Sequence, residues 1–159
     1  MSYFRHHVNH QVSISESSVS TQTLSTATTQ DISNSIIAYT PHPHAKKVIY
    51  EGQLYITTTD RMLCAMSLYH YTGGSWLEID NKNRKEFHAN HYNQGNSQEH
   101  TVYLRYVLDP WQGEKSVKMR INNYTSSAWN VRLHRTRQWE GSTGTDAYIM
   151  PQFMMYSVL

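Results

Sequence analysis

Ten histidines are the first candidates for chemistry in this 159-residue chain. His42 and His44 stand two apart, so on an extended segment their rings project to the same side. His88 and His91 stand three apart, and His100 follows. Zinc sites use close clusters of His, Cys and carboxylate groups, and this chain has one cysteine. The spacing favours ordinary surface histidines over a metal shared around an oligomer axis, and we predict no metal and no other cofactor.

Cys64 lies in the apolar stretch 62–66, which favours a small buried hydrophobic residue. A catalytic thiol needs a partner histidine and a polar cleft, and no neighbouring residue supplies them. The sequence also lacks a serine-nucleophile motif, a phosphate-binding glycine loop and paired catalytic carboxylates. We therefore predict that the protein is not an enzyme. A cupin-like metal-binding protein is the least favoured hypothesis.

Aromatic side chains near loops are the other candidates for ligand contact. Because aromatic rings stack on sugar rings, we assign this role to Trp76, Tyr92, Trp111 and Trp139. Five basic residues lie on predicted neighbouring strands, where they could bind sialylated or sulfated glycans but more often form the wet face of a sheet. These residues are Lys118, Arg120, Arg132, Arg135 and Arg137. A glycan-binding lectin or receptor-binding domain is therefore the alternative hypothesis for function.

Charge and segment composition limit the partners. The formal net charge is +2 and no dense run of Lys and Arg occurs, so we expect no nucleic-acid partner. The first residues lack the apolar core of a secretory signal, and no stretch reaches transmembrane length. We expect synthesis in a cytoplasm and no membrane insertion.

The elements that position these residues are β-strands. Apolar and polar residues alternate with period two in the segments 47–57, 101–109, 116–123 and 129–136. The predicted inward residues are Val48, Tyr50, Leu54, Ile56, Val102, Leu104, Tyr106, Leu108, Val117, Met119, Ile121, Trp129, Val131 and Leu133. Turn residues separate the segments, and the polar interval 80–100 is predicted as a long surface loop. The sequence predicts an all-β jelly-roll sandwich of about eight to ten antiparallel strands.

The first 34 residues differ in composition from the rest. Eleven of the seventeen residues from Ser13 to Thr29 are Ser or Thr, with scattered Ile14, Val19 and Leu24. This composition fits disorder or an extended arm, and the absence of a helical period favours the arm. We therefore divide the chain into an N-terminal attachment arm, 1–34, and a jelly-roll domain, 35–159.

Two segments, 62–71 and 148–159, break the alternation because both of their faces are largely apolar. A strand of a two-layer sandwich should have one wet face, so something must cover the outer one. In a chain this short the favoured cover is another copy of the chain, since an exposed patch would promote aggregation. The predicted oligomer interface consists of Met62, Cys64, Met66, Leu68, Tyr148, Met150, Phe153, Met155 and Tyr156.

The order of several segments resembles small virion appendage domains of marine tailed phages. The matching features are the opening 35–41 followed by 47–50, the turn 73–76, the Asn-rich loop 91–96 and the final strand 150–156. Such domains are similar to the tumour-necrosis-factor and complement-globular-head jelly rolls, which assemble as trimers with apolar strand faces near the threefold axis.

This resemblance, which covers residues 35–159, implies a structural protein of a virus particle. The expected form is a homotrimeric fibre tip, knob or capsid decoration located in the virion and working by assembly and surface contact. The N-terminal arm would then dock to other virion proteins, and a host-surface glycan would be a further partner of the exposed loops.

Overall fold

The computed structural model describes residues 6–12, 22–24, 28–58, 62–79, 85–89, 98–124, 131–140, 143–148 and 150–159. These residues form fourteen β-strands and no helix. The strands are β1 (His6–Val12), β2 (Gln22–Leu24), β3 (Thr29–Asp31), β4 (Ile37–Tyr39), β5 (Lys47–Thr58), β6 (Met62–Thr72), β7 (Ser75–Glu78), β8 (Lys85–Ala89), β9 (Gln98–Leu108), β10 (Lys115–Asn123), β11 (Val131–Leu133), β12 (Arg135–Glu140), β13 (Thr143–Tyr148) and β14 (Gln152–Val158). The number exceeds the eight to ten predicted because four strands have only three residues.

The strands form two six-stranded antiparallel sheets and a separate β12–β13 hairpin. In sheet A, β9 pairs with one side of β5, and β14 and β11 pair with the other side, flanked by β1 and β2. In sheet B, β10 pairs with β6; β3 and β4 continue the sheet beyond β10, and β7 and β8 continue it beyond β6. Inward side chains of both sheets form one apolar core. The fold is an antiparallel β-sandwich of the jelly-roll type, as the sequence predicts.

The alternating segments turn their predicted faces inward. Every inward residue named from the sequence is buried, except Trp129, which lies outside the described residues. Buried tyrosines keep their hydroxyl groups hydrogen-bonded: Tyr50 donates to the Ser35 carbonyl at 2.7 Å, and Tyr106 of sheet A donates to the Met66 carbonyl of sheet B at 3.0 Å. The tyrosine-rich core is stable because its polar ends have partners.

Gly52 lies on the inward face of β5, and side chains of both sheets lie close to its backbone. A Cβ atom at this position would stand 3.0 Å from the Phe153 ring and 3.2 Å from the Met119 methyl group. Phe153 belongs to sheet A and Met119 to sheet B, so side chains from both layers occupy the space that a side chain at position 52 would need. Glycine is required here by packing rather than by backbone conformation.

Parts of the segment assigned to an N-terminal arm belong to the sandwich. Strand β1 pairs with β14, β2 with β11, and β3 with β10. Leu24 and Ile32 are buried in the core. A boundary at residue 35 therefore does not separate an arm from the domain within the described residues, because short Thr- and Gln-containing strands complete the edges of both sheets.

The predicted loop 80–100 contains two strand segments. Residues 85–89 form β8, which pairs with the first half of β6, and residues 98–100 already belong to β9. The loop prediction was wrong for these residues. Strand β8 lies at the edge of sheet B, where polar and charged residues are common and the apolar alternation that reveals a strand is weak.

Candidate interaction surfaces

Five residues of the predicted interface lie in the core of the single chain. They are Cys64, Met66, Leu68, Phe153 and Met155, and none is more than 3% exposed. Their side chains point between the two sheets, so the fold leaves them no surface with which to contact a sister copy. The interface prediction fails for them because parity alone does not tell which face of an apolar strand is the inner one.

The other predicted interface residues differ from these five. Met150 is 40% exposed, and Tyr156 is half-buried on the outer face of sheet A. Met62 and Tyr148 are placed as strand positions of β6 and β13, but their side chains lie outside the described residues. Among the predicted interface residues whose side chains are described, Met150 and Tyr156 retain surface for contact with a partner.

The outer face of β6 is covered by side chains of the same chain. Ala65 and Ser67 are buried although they face outward. In the neighbouring strand β10, Arg120 pairs with Ser67 and Lys118 pairs with Tyr69. Long side chains such as these extend over small neighbours on the same face of a sheet. The outer face of β6 therefore needs no cover from another copy.

Cations and aromatic rings alternate on this outer face of sheet B, and we call the group of Trp76, Tyr69, Lys118, Arg120 and Asp31 the Trp76 cluster. The Lys118 ammonium lies 4.1 Å from the centre of the Trp76 ring, and the Arg120 guanidinium carbon lies 4.8 Å from that of Tyr69. Both cations also contact Asp31, Lys118 Nζ at 2.6 Å and Arg120 Nε at 2.8 Å. The side chain of Lys118 is only 7% exposed. Both cations thus share the single carboxylate of Asp31, and the cluster keeps a net charge of +1.

The basic residues singled out in the sequence do not form one surface. Lys118 and Arg120 belong to β10 of sheet B, whereas Arg132 belongs to β11 of sheet A. Arg135 and Arg137 are positions of the β12–β13 hairpin, and their side chains lie outside the described residues. The prediction that these strands are neighbours was wrong, because β11 pairs with β5 and β2 instead of β10.

The outer face of sheet A is built from three parallel rows of side chains across β9, β5 and β14, and we call it the β9–β5–β14 face. The paired positions define the rows, which are Val107–Ile49–Tyr156, Arg105–Glu51–Met154 and Tyr103–Gln53–Gln152. Tyr103 is 74% exposed and Val107 is 49% exposed. A groove of about 310 Å³ runs between the second and third rows. Sheet B also has an exposed aromatic residue on its outer face, Tyr71, at 48%.

The polar groups in the middle of the β9–β5–β14 face have partners within the face. Arg105 Nε lies 3.3 Å from Glu51 Oε1, and the Tyr156 hydroxyl donates to the same oxygen at 3.0 Å. Burial, followed by the negative charge of Glu51, raises the pKa of Tyr156 above its usual value. The phenol therefore stays a neutral donor to Glu51 at physiological pH.

Trp111 borders a cleft between the two sheets, at the end where β5 begins and β9 ends; we call it the end cleft. Its volume is about 460 Å³. Trp76 belongs to the cluster on sheet B, so the structure does not bring Trp76 and Trp111 together. Trp139 is a position of β12 whose side chain is not described, and Tyr92 lies outside the described residues.

Burial shifts the pKa of two residues that could take part in chemistry, Cys64 and His134. Burial raises the pKa of the Cys64 thiol to about 12, so Cys64 is the inert core residue that its sequence context predicts. Burial lowers the pKa of His134 to about 4, and no pattern in the sequence indicated that this histidine is buried. The rings of His42 and His44 lie 5.7 Å apart.

The described residues include no candidate metal site and no candidate membrane-spanning helix. No group of three His, Cys, Asp or Glu residues there could hold a metal ion. The same residues include no helix that is long and apolar enough to cross a membrane.

The geometry defines a class, an antiparallel β-sandwich. The outer face of β6 in sheet B is largely covered by side chains of the same chain, and the outer face of sheet A is partly apolar. Comparisons with protein-family models, curated proteins and solved structures find no match to this chain. Function must therefore be argued from the surfaces themselves.

Proposed function

We propose that this protein is a structural protein of a virus particle, a fibre tip, knob or capsid decoration that works by assembly and surface contact. The observation that carries the proposal is the β9–β5–β14 face, which leaves Tyr103 and Val107 open to solvent beside half-buried Met154 and Tyr156. The resemblance of segments 35–50, 73–76 and 150–156 to virion appendage domains supports the location in a virion.

Contact between copies through this face is favourable because its charges are already paired. Burying Arg105 and Glu51 together leaves no lone charge in the interface, which would otherwise be costly. Each large apolar side chain that becomes buried contributes about 1.5–3 kcal/mol, from which the entropy of association must be subtracted. Strand β9 also forms the edge of sheet A in the described residues, so a second copy can approach both the face and its rim.

We propose a homotrimer, with the β9–β5–β14 faces of three copies packed around a common axis. A partly apolar face on one sheet is suited to a closed ring, in which each copy buries that side and exposes the other. The exposed side and the loops at the ends of the sandwich then remain available for contact with other virion proteins or with a host surface.

The test is a matched pair of substitutions on opposite sheets. Tyr103→Asp places a charge on the β9–β5–β14 face, and Tyr71→Asp places the same charge at a 48% exposed tyrosine of sheet B. Both positions lie in strands, so the loss of strand propensity is similar. We expect native mass spectrometry to show three copies for the wild type and for Tyr71→Asp, and one folded copy for Tyr103→Asp.

A wild-type protein that stays a single copy at micromolar concentration would refute the assembly proposal, as would a Tyr103→Asp variant that forms the same oligomer as the wild type. The virion part has a separate test. Peptides of this chain should be found in purified particles of the virus that encodes it, and their absence from such particles would overturn that part.

A further inference from the structure

The end cleft has the shape and lining of a small-molecule site, and its residues play no part in the proposed interface rows apart from Val107. Its volume of about 460 Å³ lies within the range of about 300–1,000 Å³ that is typical of ligand pockets. Leu108, Ile79 and Val117 supply apolar walls, and a few polar side chains converge on the opening. Ligand pockets commonly combine these two features.

Trp111 forms a fixed wall of the end cleft. Its indole N–H donates to the Tyr39 carbonyl at 3.3 Å, and its ring packs edge-on against the Tyr39 ring with 6.3 Å between the ring centres. Trp111 also contacts the hydrophobic core. An aromatic ring held by a hydrogen bond and by packing is preorganised to receive a flat apolar surface, so little entropy is lost when a ligand stacks on it.

One positive charge in the end cleft has no carboxylate partner among the residues that the structure describes. Lys47 is paired with Asp109 at 2.6 Å, so these two charges cancel. The Lys115 ammonium instead lies 5.9 Å from the centre of the Trp111 ring, near the outer limit of cation–π attraction. Lys115 is therefore available for an incoming anionic group.

His70 adds a neutral polar group to the same cleft. Partial burial, and then the charge of Lys115, lower the pKa of His70. A neutral imidazole both donates and accepts hydrogen bonds, which suits hydroxyl groups. The cleft thus combines one unmatched cation, one neutral histidine and one exposed aspartate beside an indole ring.

We propose that the end cleft binds a sugar unit that carries one carboxylate, such as a uronic or sialic acid, with the carboxylate on Lys115 and the ring against Trp111. A single unmatched ammonium fits one negative charge better than a polyphosphate. Asp109 and His70 supply partners for the sugar hydroxyls. The Trp76 cluster is less suited to an acidic sugar because both of its cations already contact Asp31 and the Lys118 side chain is only 7% exposed.

The experiment titrates the full-length protein with glucuronic acid and N-acetylneuraminic acid. Glucose serves as the neutral counterpart of glucuronic acid, and inorganic phosphate serves as an anion without a ring. Chemical-shift titration follows the indole N–H signal of Trp111, which is assigned by its disappearance in Trp111→Phe. We expect an acidic sugar to bind with a dissociation constant in the millimolar range or tighter, and glucose and phosphate to bind at least tenfold more weakly.

Two variants that each remove one positive charge distinguish a local contact of Lys115 from the electrostatic effect of the net charge of the protein. Lys115→Gln should weaken binding of the acidic sugar at least tenfold, since it removes the ammonium but keeps a long polar side chain. Lys46→Gln should leave binding unchanged, because Lys46 does not line the cleft. Equal effects of the two variants, equal binding of glucose or phosphate, or no binding of either acidic sugar would overturn the proposal.

This inference does not depend on assembly, because one chain supplies every wall of the end cleft. The Tyr103→Asp variant should bind the acidic sugar with unchanged affinity even as a single copy. A failure of assembly and a failure of sugar binding are therefore distinguishable in the same set of proteins.

Discussion

Strands β6 and β14 look alike in the sequence, yet the fold treats their outer faces differently. Both have apolar residues at nearly every position. The outer face of β6 lies beneath Lys118 and Arg120, whose charged groups contact Asp31 and aromatic rings. The outer face of β14 carries Met154 and Tyr156, which remain half-buried and are separated from the exposed residues of β9 by strand β5.

The difference teaches that an apolar strand can be covered in two ways. A neighbouring strand with long amphipathic side chains can extend its methylene groups over small residues and keep its charges near water. Where the neighbours instead carry Val, Ile and Tyr, the apolar surface stays open and favours contact with another molecule. A doubly apolar strand therefore indicates an interface only when its neighbours are known.

The largest expected effect is the difference in unfolding free energy between substitutions on the inner and outer faces of β14. Phe153→Ala removes a core ring that packs against Tyr50 and over Gly52, and should lower the free energy of unfolding by about 3–5 kcal/mol. Met154→Ala, one residue further on the outer face, should cost about 1 kcal/mol because that side chain is only half-buried. Urea unfolding of the single-copy Tyr103→Asp background measures both. Similar costs would show that the inner and outer faces of β14 have been exchanged.

Acidification tests how burial of His134 beside sheet A affects stability. This residue follows β11, and its backbone N–H donates to the Tyr55 carbonyl. Its pKa in the folded protein is about 4, below the ordinary 6.5, so the unfolded chain takes up the proton first. The stabilisation is complete above about pH 6.5 and is lost as the pH falls towards 4. At about 1.4 kcal/mol per pKa unit the loss reaches roughly 3 kcal/mol.

The control for this pH dependence is His134→Phe, which keeps a planar ring and removes the titration. Its free energy of unfolding should change less than that of the wild type between pH 6.5 and pH 4. The same slope in both proteins would mean that other groups cause the acid sensitivity.

The smallest expected effects compare the ion pairs on the two outer faces. Asp31→Ala leaves the nearly buried Lys118 without its carboxylate and should cost about 1–3 kcal/mol. Glu51→Ala frees Arg105, which is mostly exposed, and should cost less than about 1 kcal/mol. Thermal unfolding at two salt concentrations measures both. Equal costs would mean that the Trp76 cluster is no better shielded from water than the opposite face.

The alternation of side chains allowed much of the sandwich to be predicted from the sequence. Strands β5, β9 and β10 bury the residues that the period-two pattern named, because a one-residue shift would expose the whole apolar set. The pattern failed for β8, which is a polar edge strand, and for the short strands of the first 34 residues. These elements are held by pairing with distant strands, and no local apolar signal marks them.

The surfaces were harder to predict because each depends on which strands become neighbours. Lys118 and Asp31 are 87 positions apart and meet only because β10 pairs with β3. Lys47, His70 and the stretch that holds Trp111 and Lys115 come from three separate segments that converge at one end of the sandwich. Of the predicted ligand residues that the structure describes with side chains, Trp111 borders that cleft and Trp76 does not, and nothing in the sequence indicated that Lys47 and His70 would lie beside Trp111.

The contact at Gly52 has a mechanical consequence for the molecule. Phe153 from one layer and Met119 from the other meet over the missing side chain, so the two sheets are keyed together near the middle of β5. Sliding of sheet B past sheet A would drive the Met119 methyl group towards the Phe153 ring and the glycine backbone of sheet A. The end cleft lies between Lys47 and Asp109 of one sheet and His70 and Lys115 of the other. Because the sheets are held in register, the width of the cleft opening stays constant.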